Sequence, residues 1–290
     1  MNNIRFHFLD VQDGDCTLIE FPTGRIGLVD IHTNHKYGTK TIEYIKRILN
    51  GKSIFRFILT HPHQDHLHGI NDLSDAGIII ENFWNINHEY KPKVPINDKE
   101  KKEWEYYKPH WNFYEKVDRK LIFSKENCEC NYLNEDKIKI LSPSIELDKQ
   151  AKEMEDKSQA VHRNNYVFYI THGKFMAIFC GDADTVTLNY IKDNYADEIK
   201  QTILLKAPHH GTEAHWNEDF VKLCNPLISI LSQGDERTKD SAEDKYIKAT
   251  KKDVGNTKKN GVIVIDGIDD GNYNVVSFGK YDEVLKFLGK

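Results

Sequence analysis

Four histidines and one aspartate lie within eight residues of the sequence, in the run His61-Pro62-His63-Gln64-Asp65-His66-Leu67-His68. Imidazole nitrogens and carboxylate oxygens suit zinc, manganese or iron, and no thiolate lies in the run to favour a closed structural zinc site. The residue types therefore predict an open, catalytic metal site with two pairs of ligands, His61 with His63 and Asp65 with His66. The alternative is a surface loop that happens to be rich in histidine.

The elements before this run predict how the histidines are positioned. Residues 54–59 (IFRFIL) are a short apolar run of strand-favouring types, so the histidines should emerge at the end of a buried strand. Thr39 to Leu49 carries apolar residues at helical spacing, and Asn50-Gly51 closes it. These segments predict a β-α-β step with the site at the carboxyl end of its second strand.

The run His61-Pro62-His63-Gln64-Asp65-His66 matches the HxHxDH signature of the metallo-β-lactamase superfamily, in a form similar to enzymes with a dinuclear site. Residues 10–15 (DVQDGD) resemble the D-V-G-Q-G-D loop of one branch, the soluble metallo-hydrolase domain of competence DNA-uptake channel proteins, although Gln12-Asp13 depart from Gly-Gln. Asn164-Asn165 is similar to the start of an Asn-Asn strand in that branch. In that branch a strand-end Asp, here Asp30, would orient metal-binding histidines.

The resemblance covers most of the chain outside residues 88–135. It implies an α+β fold, a four-layer αββα sandwich with a helical insertion near residues 88–135, and a single domain over residues 1–290. In that insertion, Trp104, Tyr107, Trp111 and Tyr114 recur every three or four residues, which predicts an amphipathic helix over Asp98 to Lys120. Its aromatic stripe either docks the helix on the core or covers the pocket and stacks a base.

Two further segments resemble parts of the superfamily's metal site. Gly181-Asp182 follows an apolar run and resembles the bridging-aspartate motif, which implies that Asp182 spans two metal ions. Residues 205–212 (LKAPHHGT) resemble the Leu-Lys-x-x-His-His-Gly-Ser motif, which implies that either His209 or His210 binds metal while its neighbour faces the substrate. Ser142-Pro143 stands where many members have a third histidine, so the first site is expected to lack a protein ligand.

The resemblance thus implies a dinuclear centre that holds one or two Zn²⁺ ions, or Mn²⁺ or Fe²⁺. Its implied metal ligands are His61, His63, Asp65, His66, Asp182 and His210 (or His209). Two such cations would activate a shared water and neutralise an anionic transition state. Lys206, His209 and Thr212 are candidate donors to a substrate oxyanion, so the candidate catalytic residues are Asp65, His209 and Lys206.

The expected function is a metal-dependent phosphodiesterase or nuclease that acts on a nucleic acid or nucleotide. The alternatives are a hydrolase of a carboxylic ester, thioester or lactone, and a metal-binding module without turnover. A formal net charge of −5 lacks the basic balance of tight nucleic-acid binders, which favours a short, single-stranded or small nucleotide substrate.

Composition and segment lengths limit the setting in which the protein works. No apolar segment approaches membrane-spanning length, so we predict a cytoplasmic protein with no membrane partner. The five cysteines are odd in number and scattered, which predicts reduced thiols, and Cys128-Glu129-Cys130 is only a weak metal-binding pattern. The sequence makes no prediction of the oligomeric state.

Overall fold

The computed structural model describes residues 3–33, 35–92, 97–116 and 135–288, without the side chains of residues 109–116 and 288. Within these ranges short apolar segments form strands that alternate with helices. The strands are β1 Ile4–Phe8, β2 Thr17–Glu20, β3 Ile26–Val29, β4 Ile54–Ile58, β5 Ile80–Trp84, β6 Ile138–Ser142, β7 Val167–His172, β8 Phe175–Phe179, β9 Leu204–Lys206, β10 Ile228–Leu231, β11 Asp253–Asn256, β12 Val262–Gly267 and β13 Tyr273–Phe278.

Most helices follow strands along the chain and cover the outer faces of the sheets. They are α1 Gly38–Leu49, α2 Gln64–Leu67, α3 Ile70–Asp75, α4 Asp98–Lys116, α5 Ile145–Glu153, α6 Lys157–Arg163, α7 Thr185–Ile199, α8 Glu218–Cys224, α9 Glu243–Thr250, α10 Thr257–Asn260 and α11 Tyr281–Leu288. Short 3₁₀ turns occupy Pro208–Gly211, Glu213–His215 and Arg237–Asp240. In the part of the chain described, no helix is both long and apolar enough to cross a membrane.

The described strands form two mixed sheets. The first has seven strands in the order β13-β12-β1-β2-β3-β4-β5, and the second has six in the order β11-β10-β9-β8-β7-β6. Strands β3, β4 and β5 are parallel, as are β8, β9, β10 and β11. Parallel neighbours need crossover connections, which α1 supplies between β3 and β4 and α7 between β8 and β9.

Aromatic side chains from both sheets form the central core. Phe6 of β1 lies 5.7 Å from Phe179 of β8 between ring centroids, and Phe179 stacks on Phe168 of β7 at 5.1 Å. Separate apolar clusters lie on the outer faces, where Tyr44 of α1 packs on the first sheet and Leu188 of α7 on the second. The layers are therefore helices, sheet, sheet and helices, which confirms the predicted αββα sandwich; that residues 1–290 form a single domain stays a prediction.

Several local predictions can be compared with this architecture. The predicted β-α-β step is present as β3, α1 and β4, and Asp184 caps α7 by accepting a hydrogen bond from Thr187 N at 2.8 Å. Residues 148–158 are mostly polar, yet α5 and the start of α6 occupy most of them. Ser144 and Asp156 cap these two helices, a signal that the sequence contained.

The insertion contains the predicted helix as α4, and its described aromatic residues dock on the core. Tyr107 is 2% exposed, and its hydroxyl hydrogen-bonds Asn85 and His88. The Trp104 ring lies 5.1 Å from that of Tyr107. The docking alternative is thus confirmed for these two residues, whereas the side chains of Trp111 and Tyr114, and all of Cys128 and Cys130, lie outside the described residues.

Candidate metal centre

Three strands deliver side chains to one edge of the sandwich. His61 and His63 follow β4 of the first sheet, Asp182 follows β8, and His209 with His210 follows β9 of the second sheet. The carboxyl ends of all three strands lie at that edge. The sequence-predicted ligands, which are far apart in the chain, therefore lie together.

The first group consists of His61, His63 and His162, whose ring nitrogens could hold a metal ion. His63 Nδ1 lies 3.1 Å from both His61 Nε2 and His162 Nε2. Sequence analysis missed His162 and expected this site to lack a third protein ligand at Ser142-Pro143. The structure instead supplies the third imidazole from α6. The signal in the sequence that could have identified His162 is its position two residues before Asn164-Asn165.

Helix α6 is held so that two of its side chains reach His63. Asp156 caps it by accepting hydrogen bonds from the backbone N–H groups of Ser158 and Gln159. Ser158 and His162 are four residues apart and therefore share a helix face. The Ser158 hydroxyl lies 3.0 Å from His63 Nε2, so it holds the ring edge opposite the one that faces the other histidines.

The second group consists of Asp65, His66 and His210. His210 Nε2 lies 3.2 Å from Asp65 Oδ2. Two more carboxylates stand behind the rings: Asp30 Oδ2 lies 2.8 Å from His66 Nδ1, and Asp15 Oδ2 lies 3.5 Å from His210 Nδ1. Asp30 thus holds the Nδ1 edge of His66 from behind, which is the arrangement that fixes the tautomer and orientation of a metal-binding histidine, whereas His210 Nδ1 has no hydrogen-bond partner among the described residues.

Asp182 lies between the two groups and presents one oxygen to each. Its Oδ2 is 3.7 Å from His61 Nε2 and 3.9 Å from His162 Nε2, whereas its Oδ1 is 3.2 Å from His66 Nε2 and 3.7 Å from His210 Nε2. Among the described residues, neither Asp182 Oδ1 nor His66 Nε2 has a hydrogen-bond partner, although both are buried. Buried polar atoms are normally satisfied, so these converging nitrogen and oxygen atoms fit a divalent cation.

The two groups differ in their electrostatics. Burial lowers the pKa of His61 well below its ordinary value and that of His162 to about 3. Burial acts in the same direction on His66, but the carboxylates of Asp182, Asp30 and Asp65 outweigh it and raise its pKa well above the ordinary value. The first group is therefore neutral near pH 7, whereas the second group holds a proton when no cation is bound.

The backbone decides how His209 and His210 both reach the centre. Both residues have left-handed backbone conformations, with φ of 47° and 57°, which non-glycine residues rarely adopt. On an extended chain, the side chains of neighbouring residues point to opposite sides. This segment is a tight turn, so both rings can face the centre. His210 is fully buried against Asp65, whereas the His209 side chain is 14% exposed, with its Nε2 3.7 Å from Asp182 Oδ2.

Lys206 does not face the open side of the centre. It is 3% exposed, and its Nζ lies 2.9 Å from Asp15 Oδ1. Because Asp15 stands behind His210, Lys206 reaches the centre only through that carboxylate. In this position Lys206 compensates the buried charge of Asp15, whereas the sequence predicted that it would donate a hydrogen bond to the substrate.

Sequence analysis also missed Arg237. Its guanidinium donates a hydrogen bond from Nη2 to Asp65 Oδ2 at 2.7 Å, and its side chain is 29% exposed. It belongs to the 3₁₀ turn Arg237–Asp240, which follows β10. A cation 172 residues from its carboxylate partner gives no local sequence signal.

Comparison with known proteins adds to this geometry. No protein-family model and no curated protein sequence matches the chain. Among solved structures, the chain is similar to the metallo-β-lactamase fold protein YhfI from Bacillus subtilis, with a TM-score of 0.52 and 12% identity over 91% of this chain and 100% of that one. At this identity the likeness shows the fold alone. Together with its layer order, it shows that the chain has the metallo-β-lactamase fold.

Proposed function

We propose that the protein is a metal-dependent hydrolase and that its substrate is a phosphodiester in a short nucleic acid or a nucleotide. The observation that carries the first part is the position of Asp182, whose two oxygens face two separate groups of nitrogen and oxygen ligands. A carboxylate can span two cations in this way, whereas an imidazole cannot. The metallo-β-lactamase fold is consistent with this assignment.

In this proposal the first group would hold one cation and the second group the other, with one Asp182 oxygen facing each group. Cations bound there supply Lewis-acid activation of water and neutralise negative charge in the transition state. The chain's own residues orient these ligands. Asp30 holds the Nδ1 edge of His66, Ser158 holds His63, and Asp15, paired with Lys206, lies beside His210.

His209 is the residue we assign to proton transfer. The Thr212 hydroxyl donates to the His209 carbonyl at 2.9 Å, so its oxygen is left to accept a hydrogen bond from His209 Nδ1–H at 2.7 Å. The neutral ring then carries its lone pair on Nε2, the nitrogen that faces Asp182. Burial lowers the His209 pKa to about 4, so the ring is neutral near pH 7 and its Nε2 offers a lone pair to the centre.

Two features support a phosphodiester over a neutral ester. The segments at residues 10–15, 164–165 and 205–212 resemble a nuclease-like branch, the metallo-hydrolase domain of competence DNA-uptake channel proteins. A site built for two divalent cations also suits a substrate that is already anionic in its ground state. The net charge of −5 supports a short or small substrate, because long duplex DNA would need a basic surface.

The test is a substrate panel run with added zinc or manganese. We expect cleavage of bis-p-nitrophenyl phosphate and of at least one among single-stranded DNA, RNA and a cyclic dinucleotide, with activity lost in Asp65→Ala. Turnover of only a thioester, ester or lactone would replace the phosphodiester assignment by the carboxylic one. Stoichiometric metal binding without turnover of any panel member would indicate a non-catalytic metal-binding module.

A further inference from the structure

The segment between β10 and α9, residues 232–242, lies over the second group and is anchored at its far end. Ala242 N donates to Gly211 O at 2.9 Å, and Ser241 forms a β-bridge with Thr212. Gly211 and Thr212 directly follow the two histidines of the β9 turn. The position of this segment is therefore coupled to the metal centre.

Asp13 anchors the near end of the same segment. Its carboxylate accepts hydrogen bonds from three backbone N–H groups, those of Gly234 at 3.1 Å, Glu236 at 3.1 Å and Arg237 at 2.8 Å. A Cβ on Gly234 would lie 2.6 Å from the backbone of Gln12 and Asp13, so only glycine permits this approach. Asp13 is one of the two residues that depart from the branch's loop motif, and its contacts give that departure a structural role.

Arg237 is the residue that this anchored turn places beside the centre. In the described part of the chain, its one side-chain hydrogen bond is the donation to Asp65 Oδ2 at 2.7 Å. A guanidinium carries five N–H donors in a planar fork that matches phosphate oxygens. A partly exposed side chain with a single such bond has donors left for a ligand.

The charges at the centre explain why that ligand should be an anion. Four carboxylates surround it: those of Asp15, Asp30 and Asp182 are buried, and the Asp65 side chain is 18% exposed. Two divalent cations would balance these four charges, and Lys206 and Arg237, less the one negative charge of Asp13, would then leave the loaded centre with one positive charge in excess. A cation bound to Asp65 would also neutralise the carboxylate that Arg237 contacts in this structure. The guanidinium would then be available to bind another anionic group.

We propose that Arg237, held by Asp13, binds a non-bridging oxygen of the substrate phosphate and makes the centre selective for anionic substrates. This inference rests on the proposed hydrolase function and adds the group that distinguishes a phosphodiester from a neutral ester. Arg237 contacts the substrate, whereas Asp13 is a positioning residue that acts through Arg237. Neither residue is required to hold the cations.

The direct test measures binding of inorganic phosphate to the metal-loaded full-length protein by titration calorimetry, which needs no turnover. We expect Arg237→Gln to weaken phosphate binding by about 10- to 100-fold, the range for a charge-assisted hydrogen bond, and Arg237→Lys to weaken it less. Metal content should stay at the wild-type level in both variants. Lys239→Gln is the matched control, since it removes an exposed cation from the same turn, and it should bind phosphate as wild type does.

Kinetics then separate the roles of the two residues. Arg237→Gln should raise KM for bis-p-nitrophenyl phosphate and leave KM for p-nitrophenyl acetate unchanged, wherever that neutral ester is turned over. Asp13→Asn should weaken phosphate binding in the wild-type background and have no effect in the Arg237→Gln background, as expected for a residue that acts through the arginine.

Three results would overturn the inference. They are phosphate binding within twofold of wild type in Arg237→Gln, loss of metal in that variant, which would make Arg237 a support for Asp65, and equal effects of Asp13→Asn in both backgrounds. If the protein cleaves no phosphodiester but Arg237→Gln still loses phosphate affinity, the proposed substrate fails while the anion site stands. The two proposals can therefore be judged separately.

Discussion

The first and second groups lie on opposite sides of Asp182, and they differ in the charge of their ligands before a cation binds. The first uses three imidazoles, and burial lowers their pKa values so that the rings are neutral before a cation arrives. In the second, two imidazoles lie among four carboxylates, and the carboxylates hold a proton on His66 in the absence of metal. A cation that binds to the second group would therefore compete with that proton, whereas the imidazoles of the first group have no extra proton to lose.

Because of this difference, the two groups depend on different contacts with the rest of the fold. Neutral ligands need only correct placement, which α6 and Ser158 provide for the first group. Charged ligands also need charge compensation, which Lys206 provides through Asp15 beside the second group. Substitutions should therefore separate the two groups experimentally.

The largest effect is expected from Asp182→Ala, because this carboxylate faces both groups. Metal content should fall from roughly one or two equivalents to near zero, and hydrolysis should fall with it. Elemental analysis after desalting, together with activity on bis-p-nitrophenyl phosphate, measures both. Asp193→Asn, an exposed carboxylate on α7, is the control. Full metal retention in Asp182→Ala would rule out a bridging role.

Single-group substitutions should each remove about one equivalent of metal. His162→Ala removes an imidazole that faces His63 of the first group, and His210→Ala removes one that faces Asp65 of the second group. Metal titrations of the two variants should then report complementary sites, and the remaining site in His210→Ala should fill without proton release. If His162→Ala retains as much metal as wild type, α6 does not contribute a ligand.

His209→Ala should leave the metal content unchanged and lower turnover by roughly 10²- to 10⁴-fold, the usual range for a proton-transfer group. The reason is that His209 is the more exposed of the two neighbouring histidines and hydrogen-bonds Thr212 through its Nδ1. Comparison with His210→Ala at matched metal concentration is the measurement. Equal loss of metal in the two variants would show that both histidines are ligands.

Asp30→Asn should weaken the second group more than the first, which Asp30 reaches only through the Thr60 hydroxyl beside His61 Nδ1. Asp30 touches His66 but no member of the first group, and loss of such a supporting carboxylate typically costs roughly 10- to 100-fold in metal affinity. Competition with a chelator measures the affinity of each site. Equal weakening at both sites would mean that the groups are not independent.

The smallest effect concerns pH and the helix that follows the second group. Glu103 of α4 accepts a hydrogen bond from Asn71 N at the start of α3, and burial raises its pKa to about 7. Its stabilising contribution is fully present below the ordinary pKa near 4.5 and is lost as pH rises through 7. The free energy of unfolding should therefore fall with pH in this window, by at most about 1.4 kcal/mol per pH unit.

Glu103→Gln should remove this slope, because a glutamine can still accept from Asn71 N but does not ionise. Denaturant unfolding of both proteins at pH 5, 6, 7 and 8 gives the comparison, with Glu105→Gln on the exposed face of α4 as the control. A parallel decline in wild type and Glu103→Gln would assign the pH dependence to other groups.

The sequence by itself determined the elements and the ligands that lie close to strand ends. The apolar run before His61, the helical spacing of α1 and the Gly181-Asp182 step are local patterns, and local patterns depend on neighbours in the chain. The layered fold and the convergence of His61, His63, His66, Asp182 and His210 were predicted because these segments also resemble motifs of the metallo-β-lactamase superfamily.

Only the tertiary structure decided which distant groups complete the centre. His162 and Arg237 reach it from a helix and a turn that have no metal-binding motif, and Lys206 faces Asp15 because β9 is buried on both sides. The roles of His209 and His210 depend on two left-handed residues that no residue type in the segment requires. These features are set by packing between segments far apart in the chain, and pairing over such distances leaves no periodic pattern in the sequence.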